Sequence, residues 1–131
     1  MLKKLAISLA GAMGLLAVAN GLAMLASPDG WYNAVPGVTT TGPYNQHFIR
    51  DIGLVYLLAG FSYLIGAAKA ELRVLLWALP TIWVAAHALF HFWEVAAGIS
   101  AHSAMARDFA AVTLPAIIGT ALTLWAAKEA K

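Results

Sequence analysis

The chain has 131 residues, of which 62% are hydrophobic and 11% are charged, and its mean hydropathy is +0.78. Soluble domains carry about 25% charged residues, so this composition predicts a membrane protein whose main partner is the lipid bilayer. The absence of cysteine excludes disulfides, thiolate metal sites and cysteine nucleophiles, and a net charge of only +2 argues against a nucleic-acid partner.

Four apolar stretches, near residues 5–26, 51–68, 74–97 and 108–127, are each close to the length that a helix needs to cross a bilayer, about 20 residues for about 30 Å. With their flanking turns, they predict helices at about 5–26, 43–68, 73–98 and 104–127, and a long loop at 27–42. The expected fold is an all-α, antiparallel four-helix membrane bundle that forms a single domain over residues 1–131.

The first apolar stretch has an alternative interpretation. It has the order of a signal peptide with its cleavage site: two basic residues, Lys3 and Lys4, then the apolar run, then small residues at 17–19. The apolar run continues to Ala26, which is longer than an ordinary signal-peptide core, so we expect a retained helix.

Basic residues indicate the orientation of the bundle. An even number of spans places both termini on one side, and the Lys and Arg residues on that side outnumber those on the other. They are Lys3, Lys4, Lys69, Arg73, Lys128 and Lys131, against Arg50 and Arg107. The positive-inside rule therefore predicts cytoplasmic termini in a bacterial inner membrane, with the long loop on the outer, periplasmic side.

The long loop and the helix starts carry turn and capping signals. Pro36-Gly37 has the sequence of a type II turn, Pro43 suits the first turn of the second helix, and Ser103 is placed to cap the fourth. The loop is apolar enough to fold back over the outer end as a lid, and a simple interfacial spacer is the alternative.

Small residues and prolines predict how the helices pack and bend. Glycines and alanines recur along the first two helices in the manner of close membrane interfaces, at Ala10, Gly14, Ala17, Gly21, Gly53, Gly60 and Gly66. Pro80 and Pro115 are expected to kink the third and fourth helices.

Ionisable residues concentrate in the outer third of the predicted bundle. At about 1.5 Å per residue from the basic residue at the inner end of each helix, they lie about 21 to 32 Å above the inner boundary. They are Asp51, His87, His91, Glu94 and Asp108. The inner half carries hydroxyl groups but no ionisable group, so we expect a site served from outside rather than an ion path across the bilayer.

His87, His91 and Glu94 are spaced i, i+4 and i+7, so they share one helix face, which should look into the bundle because a charge facing lipid is costly. His47 and Asp51 are also four residues apart. Histidines and carboxylates converging from facing helices predict a transition-metal site, with Zn or Fe favoured and Cu a further candidate. The predicted ligands are His87, His91, Glu94, Asp51, His47 and Asp108. Such a site would act catalytically on a membrane-soluble substrate, or store or deliver the metal.

Three other interpretations stay open. One b-type haem could take axial ligands from His87 or His91 together with His47, in a single-haem electron-transfer subunit. The polar cluster could instead fix the helix register of a non-catalytic accessory subunit, which associates with other membrane subunits or with itself. It could also be a metal-free centre for acid–base catalysis by a histidine–carboxylate pair.

Two segments carry a resemblance to other proteins. Residues 41–53 read TGPYNQHFIRDIG and residues 87–94 read HALFHFWE. With these motifs, TGPxNxHFxRDxG and HxxxHxWE, the chain resembles a group of small bacterial four-span inner-membrane proteins along its whole length. The resemblance implies the four-helix fold and a bacterial origin, and it implies no particular activity.

Overall fold

The computed structural model describes residues 1–130, and over that range the chain is helical without any strand. The helices are α1 (Leu2–Ala26), α2 (Pro28–Ala34), α3 (Gln46–Ala68), α4 (Arg73–Ala96), α5 (Ala104–Asp108) and α6 (Leu114–Glu129). Short 3-10 turns occupy Val38–Thr40 and Ala70–Leu72, and a π-helical segment, Phe109–Thr113, joins α5 to α6. The predicted all-α four-helix bundle is confirmed. Lys131, one of the basic residues counted for orientation, lies outside the described residues.

Four helical segments are long and apolar enough to cross a membrane: Leu2–Ala26, Gln46–Ala68, Ala70–Ala96 and Ala104–Glu129. They alternate in direction, so the N-terminus and the end of α6 lie at one end of the bundle. We call this the terminal end. The opposite end, which carries the connections 27–45 and 97–103, is the loop end.

Glycines set the close packing of α1 against α3. A Cβ built on Gly21 would lie 2.6 Å from the carbonyl oxygen of Gly53, and one built on Gly60 would lie 2.7 Å from that of Gly14. The two glycine pairs are seven residues apart on each helix, so the backbones stay in contact over two turns. The predicted small-residue interface is therefore confirmed at these four positions.

The buried core lies toward the terminal end, where α3, α4 and α6 also share a hydrogen-bonded chain. The Tyr63 hydroxyl lies 2.8 Å from that of Thr81, which lies 3.2 Å from that of Thr123. Nε1 of Trp77 donates to the Tyr63 carbonyl at 3.1 Å, and Nε of Arg73 donates to the Gly66 carbonyl at 2.9 Å. Polar groups in this apolar region thus find partners on neighbouring helices, as the absence of water in a bilayer requires.

The predicted start of the second span and the predicted cap of the fourth need correction, whereas the fourth span begins at Ala104 as predicted. The second span begins at Gln46 rather than near residue 43, because Asn45 is its N-cap and accepts a bond from the Phe48 amide at 3.1 Å. Ser103 does precede α5, but its side chain makes no capping bond. Pro80 lies within the continuous helix α4, whereas Pro115 follows a π-helical turn in which the Leu114 amide donates to the Phe109 carbonyl.

The long loop is ordered against the loop end. Nε1 of Trp31 on α2 donates to the side-chain oxygen of Asn20 at 2.8 Å, which ties α2 back to α1. Gly37 has φ +89° and ψ −22°, and the Val38 amide bonds to the Val35 carbonyl at 3.3 Å. These values fit the type II turn that the Pro36-Gly37 sequence predicts.

Candidate functional site

His87 and His91 lie side by side on α4 toward the loop end. Their ring centroids are 4.6 Å apart in an edge-to-face arrangement, as the spacing of four residues on one helix face allows. On the other side, the indole of Trp83 stacks on His87 at 5.7 Å and receives the edge of Tyr56 from α3 at 5.1 Å. The two imidazoles are therefore packed between aromatic rings and the start of the fourth span.

Asp108 connects this histidine pair to Arg107. Its Oδ2 lies 3.2 Å from Nδ1 of His91, and its two oxygens accept bonds from Nε and Nη2 of Arg107 at 2.6 Å and 2.8 Å. The carboxylate side chain is only 12% exposed, and that of His91 is 25% exposed. We call His87, His91, Arg107 and Asp108 the loop-end cluster.

The proton on His91 can be assigned from its partner. A carboxylate held by both nitrogens of an arginine fork is ionised and accepts hydrogen bonds only. In the contact with Asp108, Nδ1 of a neutral His91 is therefore the donor. Nε2 then carries the lone pair, which is the state required of a general base, whereas a metal ion bound at Nδ1 would have to displace the Nδ1 proton.

The π-helical segment begins immediately after Asp108. It places one extra residue in the turn that leads to Pro115, a position where proline cannot donate a helical hydrogen bond. Such π turns occur frequently at functional sites because they rotate the helix on one side relative to the other. Here the change of register separates Asp108 and Arg107 from the regular packing of α6.

The turn at Gly37 lies directly against Arg107. A Cβ built on Gly37 would lie 2.6 Å from Nη2 of Arg107, so the guanidinium packs on the bare backbone of the turn. The loop thus contacts the loop-end cluster through Arg107, and the lid interpretation stays a prediction.

A small pocket adjoins the cluster on the side of the connection between α4 and α5. Its volume for the centre of a water molecule is about 10 Å³, which corresponds to about one water. It is lined by His91, Phe92, Val95, Ser100, Ala104, Met105, Asp108 and Thr113. The pocket therefore has room for about one water-sized ligand beside His91 and Asp108.

The structure does not bring all six predicted metal ligands together. His47 and Asp51 form their own pair at 3.2 Å, with side chains that are 87% and 56% exposed. Glu94 is half-buried on α4. Among residues 1–130, no three His, Asp or Glu side chains are arranged as a ready ligand set. The expectation that His47 and Asp51 face the other four under the loop is corrected by this placement.

Sequence reasoning misses two contributors to the site, Trp83 and Tyr56, and it treats Arg107 only as a charge that balances the polar cluster. Arg107 carries a usable signal, because an arginine directly preceding an acid at the start of a predicted span is an obvious counter-ion. Trp83 has a weaker sequence signal, its spacing of four residues from His87.

Comparison with protein-family models, curated proteins and solved structures gives no significant match.

Proposed function

We propose that the loop-end cluster binds one transition-metal ion, with His87, His91 and Asp108 as its protein ligands. The observation that supports this is the 3.2 Å separation between Nδ1 of His91 and Oδ2 of Asp108. Two ligands bound at about 2.0 to 2.1 Å in tetrahedral geometry lie about 3.3 to 3.4 Å apart. A metal ion can therefore replace the proton that the two atoms share, with little movement of either helix.

His87 supplies the third ligand in this proposal. Its ring centroid lies 4.6 Å from that of His91, and it must reorient on binding because the three side chains are not a ready ligand set. Two histidines and one carboxylate suit Zn or non-haem Fe, and they leave a coordination position for water or substrate. Glu94, three residues beyond His91 on α4, is the nearest further acid along the helix. Catalysis on a membrane-soluble substrate would need this open position and a wider opening than the pocket of about one water molecule, and the same ligands without turnover would store or deliver the metal.

The proposed location is a bacterial inner membrane, with both termini cytoplasmic and the cluster facing the periplasm. The support is the distribution of basic residues, since among the spans and turns the loop end carries Arg50 and Arg107 only. The apolar helix surfaces are compatible with lipid contact. Association with other subunits or with a second copy stays a prediction from the sequence.

The experiment is a measurement of bound metal. Protein purified in mild detergent is analysed for Zn, Fe, Cu and Mn by elemental mass spectrometry, before and after reconstitution. We expect near-stoichiometric metal in the wild type and its loss in His87→Ala and in His91→Ala. His47→Ala is the matched control and should keep the metal, because His47 is exposed and paired with Asp51. No metal in the reconstituted wild type, or equal loss in all three variants, contradicts the proposal.

A metal-free acid–base centre is the second candidate function. The observation that favours it is the assigned tautomer of His91, in which the carboxylate orients the ring and leaves Nε2 as a base, as in a catalytic histidine–aspartate pair. It predicts that in chelated protein an acylating reagent modifies His91 through its exposed edge, since the side chain is 25% exposed, and that Asp108→Asn slows this reaction. Peptide mass spectrometry measures both rates. An unchanged rate in Asp108→Asn would reject the candidate.

The haem interpretation gains no support from the geometry. His47, its proposed second axial ligand, is 87% exposed and bonded to Asp51, and the pocket beside His91 has room for about one water molecule. A porphyrin between these histidines would require the helices to separate.

A further inference from the structure

The Arg107 guanidinium lies in the space that the missing side chain of Gly37 leaves open. Gly37 has φ +89°, a left-handed backbone conformation that residues other than glycine rarely adopt. The space where its Cβ would be is filled by the Arg107 guanidinium, with Nη2 only 2.6 Å away. The turn therefore forms one wall of the place in which the guanidinium lies.

The same guanidinium holds Asp108 by two short bonds, at 2.6 Å and 2.8 Å. These bonds use one lone pair on each carboxylate oxygen and fix the plane of the carboxylate. Oδ2 is thereby aimed at Nδ1 of His91, on a different helix. A displacement of Arg107 would leave this carboxylate free to rotate about its side-chain bonds.

We infer that Gly37 and Arg107 are positioning residues, through which the turn of the long loop orients Asp108 toward His91. The expected effect on metal affinity rests on the proposed function. The orientation of His91 by Asp108 does not, because the metal-free candidate requires it as well. The loop is then a structural part of the site rather than a spacer. Outer-shell groups that orient a ligand typically change metal affinity by about 10- to 100-fold when they are altered.

Gly37→Ala is a selective test because its new methyl group meets the tip of a flexible side chain rather than backbone. Gly98→Ala is the matched control. Gly98 also has positive φ, +74°, and a Cβ there meets nothing within 4 Å. Both variants carry the cost of a left-handed alanine, and only Gly37→Ala displaces Arg107. Arg107→Lys is an independent variant that keeps the charge but loses the two-pronged bond.

The first readout is metal affinity, measured by competition with a chelator on the full chain in detergent. We expect about tenfold weakening in Gly37→Ala, an equal or larger loss in Arg107→Lys, and wild-type affinity in Gly98→Ala. Equal affinity in Gly37→Ala and Gly98→Ala would overturn the inference.

The second readout needs no metal and separates the two proposals. In metal-free, ¹⁵N-histidine-labelled protein at alkaline pH, the His91 signals, assigned with His91→Gln, should show a protonated Nδ1 and an unprotonated Nε2. Gly37→Ala and Arg107→Lys should move both signals toward a tautomer mixture, whereas Gly98→Ala should leave them unchanged. A wild type without metal would reject the metal proposal alone. Wild-type His91 signals in both Gly37→Ala and Arg107→Lys would reject the positioning role.

Discussion

Nδ1 of His91 lies 3.2 Å from Oδ2 of Asp108 and so joins α4 to α5 across 17 positions of the chain. Nε2 of His47 and Oδ2 of Asp51 lie at the same distance from each other, within one helix. The pairs differ in exposure, since the carboxylate is 12% exposed in the first and 56% exposed in the second. Hydrogen bonds and charge pairs gain strength where water is excluded, so the pairs should differ in their effect on stability.

Asp108→Asn should lower the free energy of unfolding by about 1 to 3 kcal/mol, because it weakens a charge-assisted network and leaves Arg107 without its counter-ion. Asp51→Asn is the matched control and should change it by less than about 1 kcal/mol, as for an exposed ion pair. Chemical unfolding in mixed detergent micelles, followed by circular dichroism, measures both. Equal losses in the two variants would show that burial of Asp108 has no energetic consequence.

Gly21→Ala should destabilise the bundle, because its methyl group would lie 2.6 Å from the Gly53 carbonyl, a backbone atom that cannot move without separating α1 from α3. The expected loss is about 1 to 3 kcal/mol, typical of overpacking. Gly11→Ala on the same helix meets nothing within 4 Å and should stabilise it by about 0.5 to 1 kcal/mol through helix propensity. Unfolding temperatures in detergent should therefore fall in Gly21→Ala and rise in Gly11→Ala. A change in the same direction in both variants would contradict the described interface.

The sequence predicts the four spans well because bilayer thickness sets their length. It also predicts the shared depth of His91 and Asp108, since helical rise is constant. What it does not predict is the rotation of each helix about its own axis. On α3 that rotation is set by Gly53, which faces Gly21 of α1. Asp51 precedes Gly53 by two residues and so lies about 200° around the helix from it, on the side away from α1.

The contact of Gly37 with Arg107 was also beyond sequence reasoning. The type II turn is predictable from Pro36-Gly37, because such a turn favours proline at its second residue and needs positive φ, which glycine adopts readily, at its third. Where that turn docks depends on α2, which Trp31 ties to Asn20, and on the π-helical segment after Asp108. Both features depend on tertiary packing, which the hydropathy pattern does not predict.

Tyr63→Phe should destabilise the terminal end, because it removes the hydroxyl that lies 2.8 Å from that of Thr81. Interhelical hydrogen bonds in membrane proteins contribute on average about 0.6 kcal/mol, with a maximum near 1.7 kcal/mol. A double-mutant cycle with Thr81→Val, measured by unfolding in detergent, isolates the pair and should give a coupling energy of about that size. A coupling energy of zero would mean that Thr81 bonds to Thr123 equally well without Tyr63.

Trp83 should report on a metal bound at the loop-end cluster, because its indole stacks on His87 with ring centroids 5.7 Å apart. Bound Cu²⁺ quenches nearby tryptophans, so a titration should quench part of the emission of the five tryptophans. Among single Trp→Phe variants, Trp83→Phe should lose the largest part of this quenching. Trp125→Phe, whose ring stacks on Trp77 in the terminal half, should lose none of it. Quenching that is undiminished in Trp83→Phe would place the bound ion away from His87 and contradict the proposed ligand set.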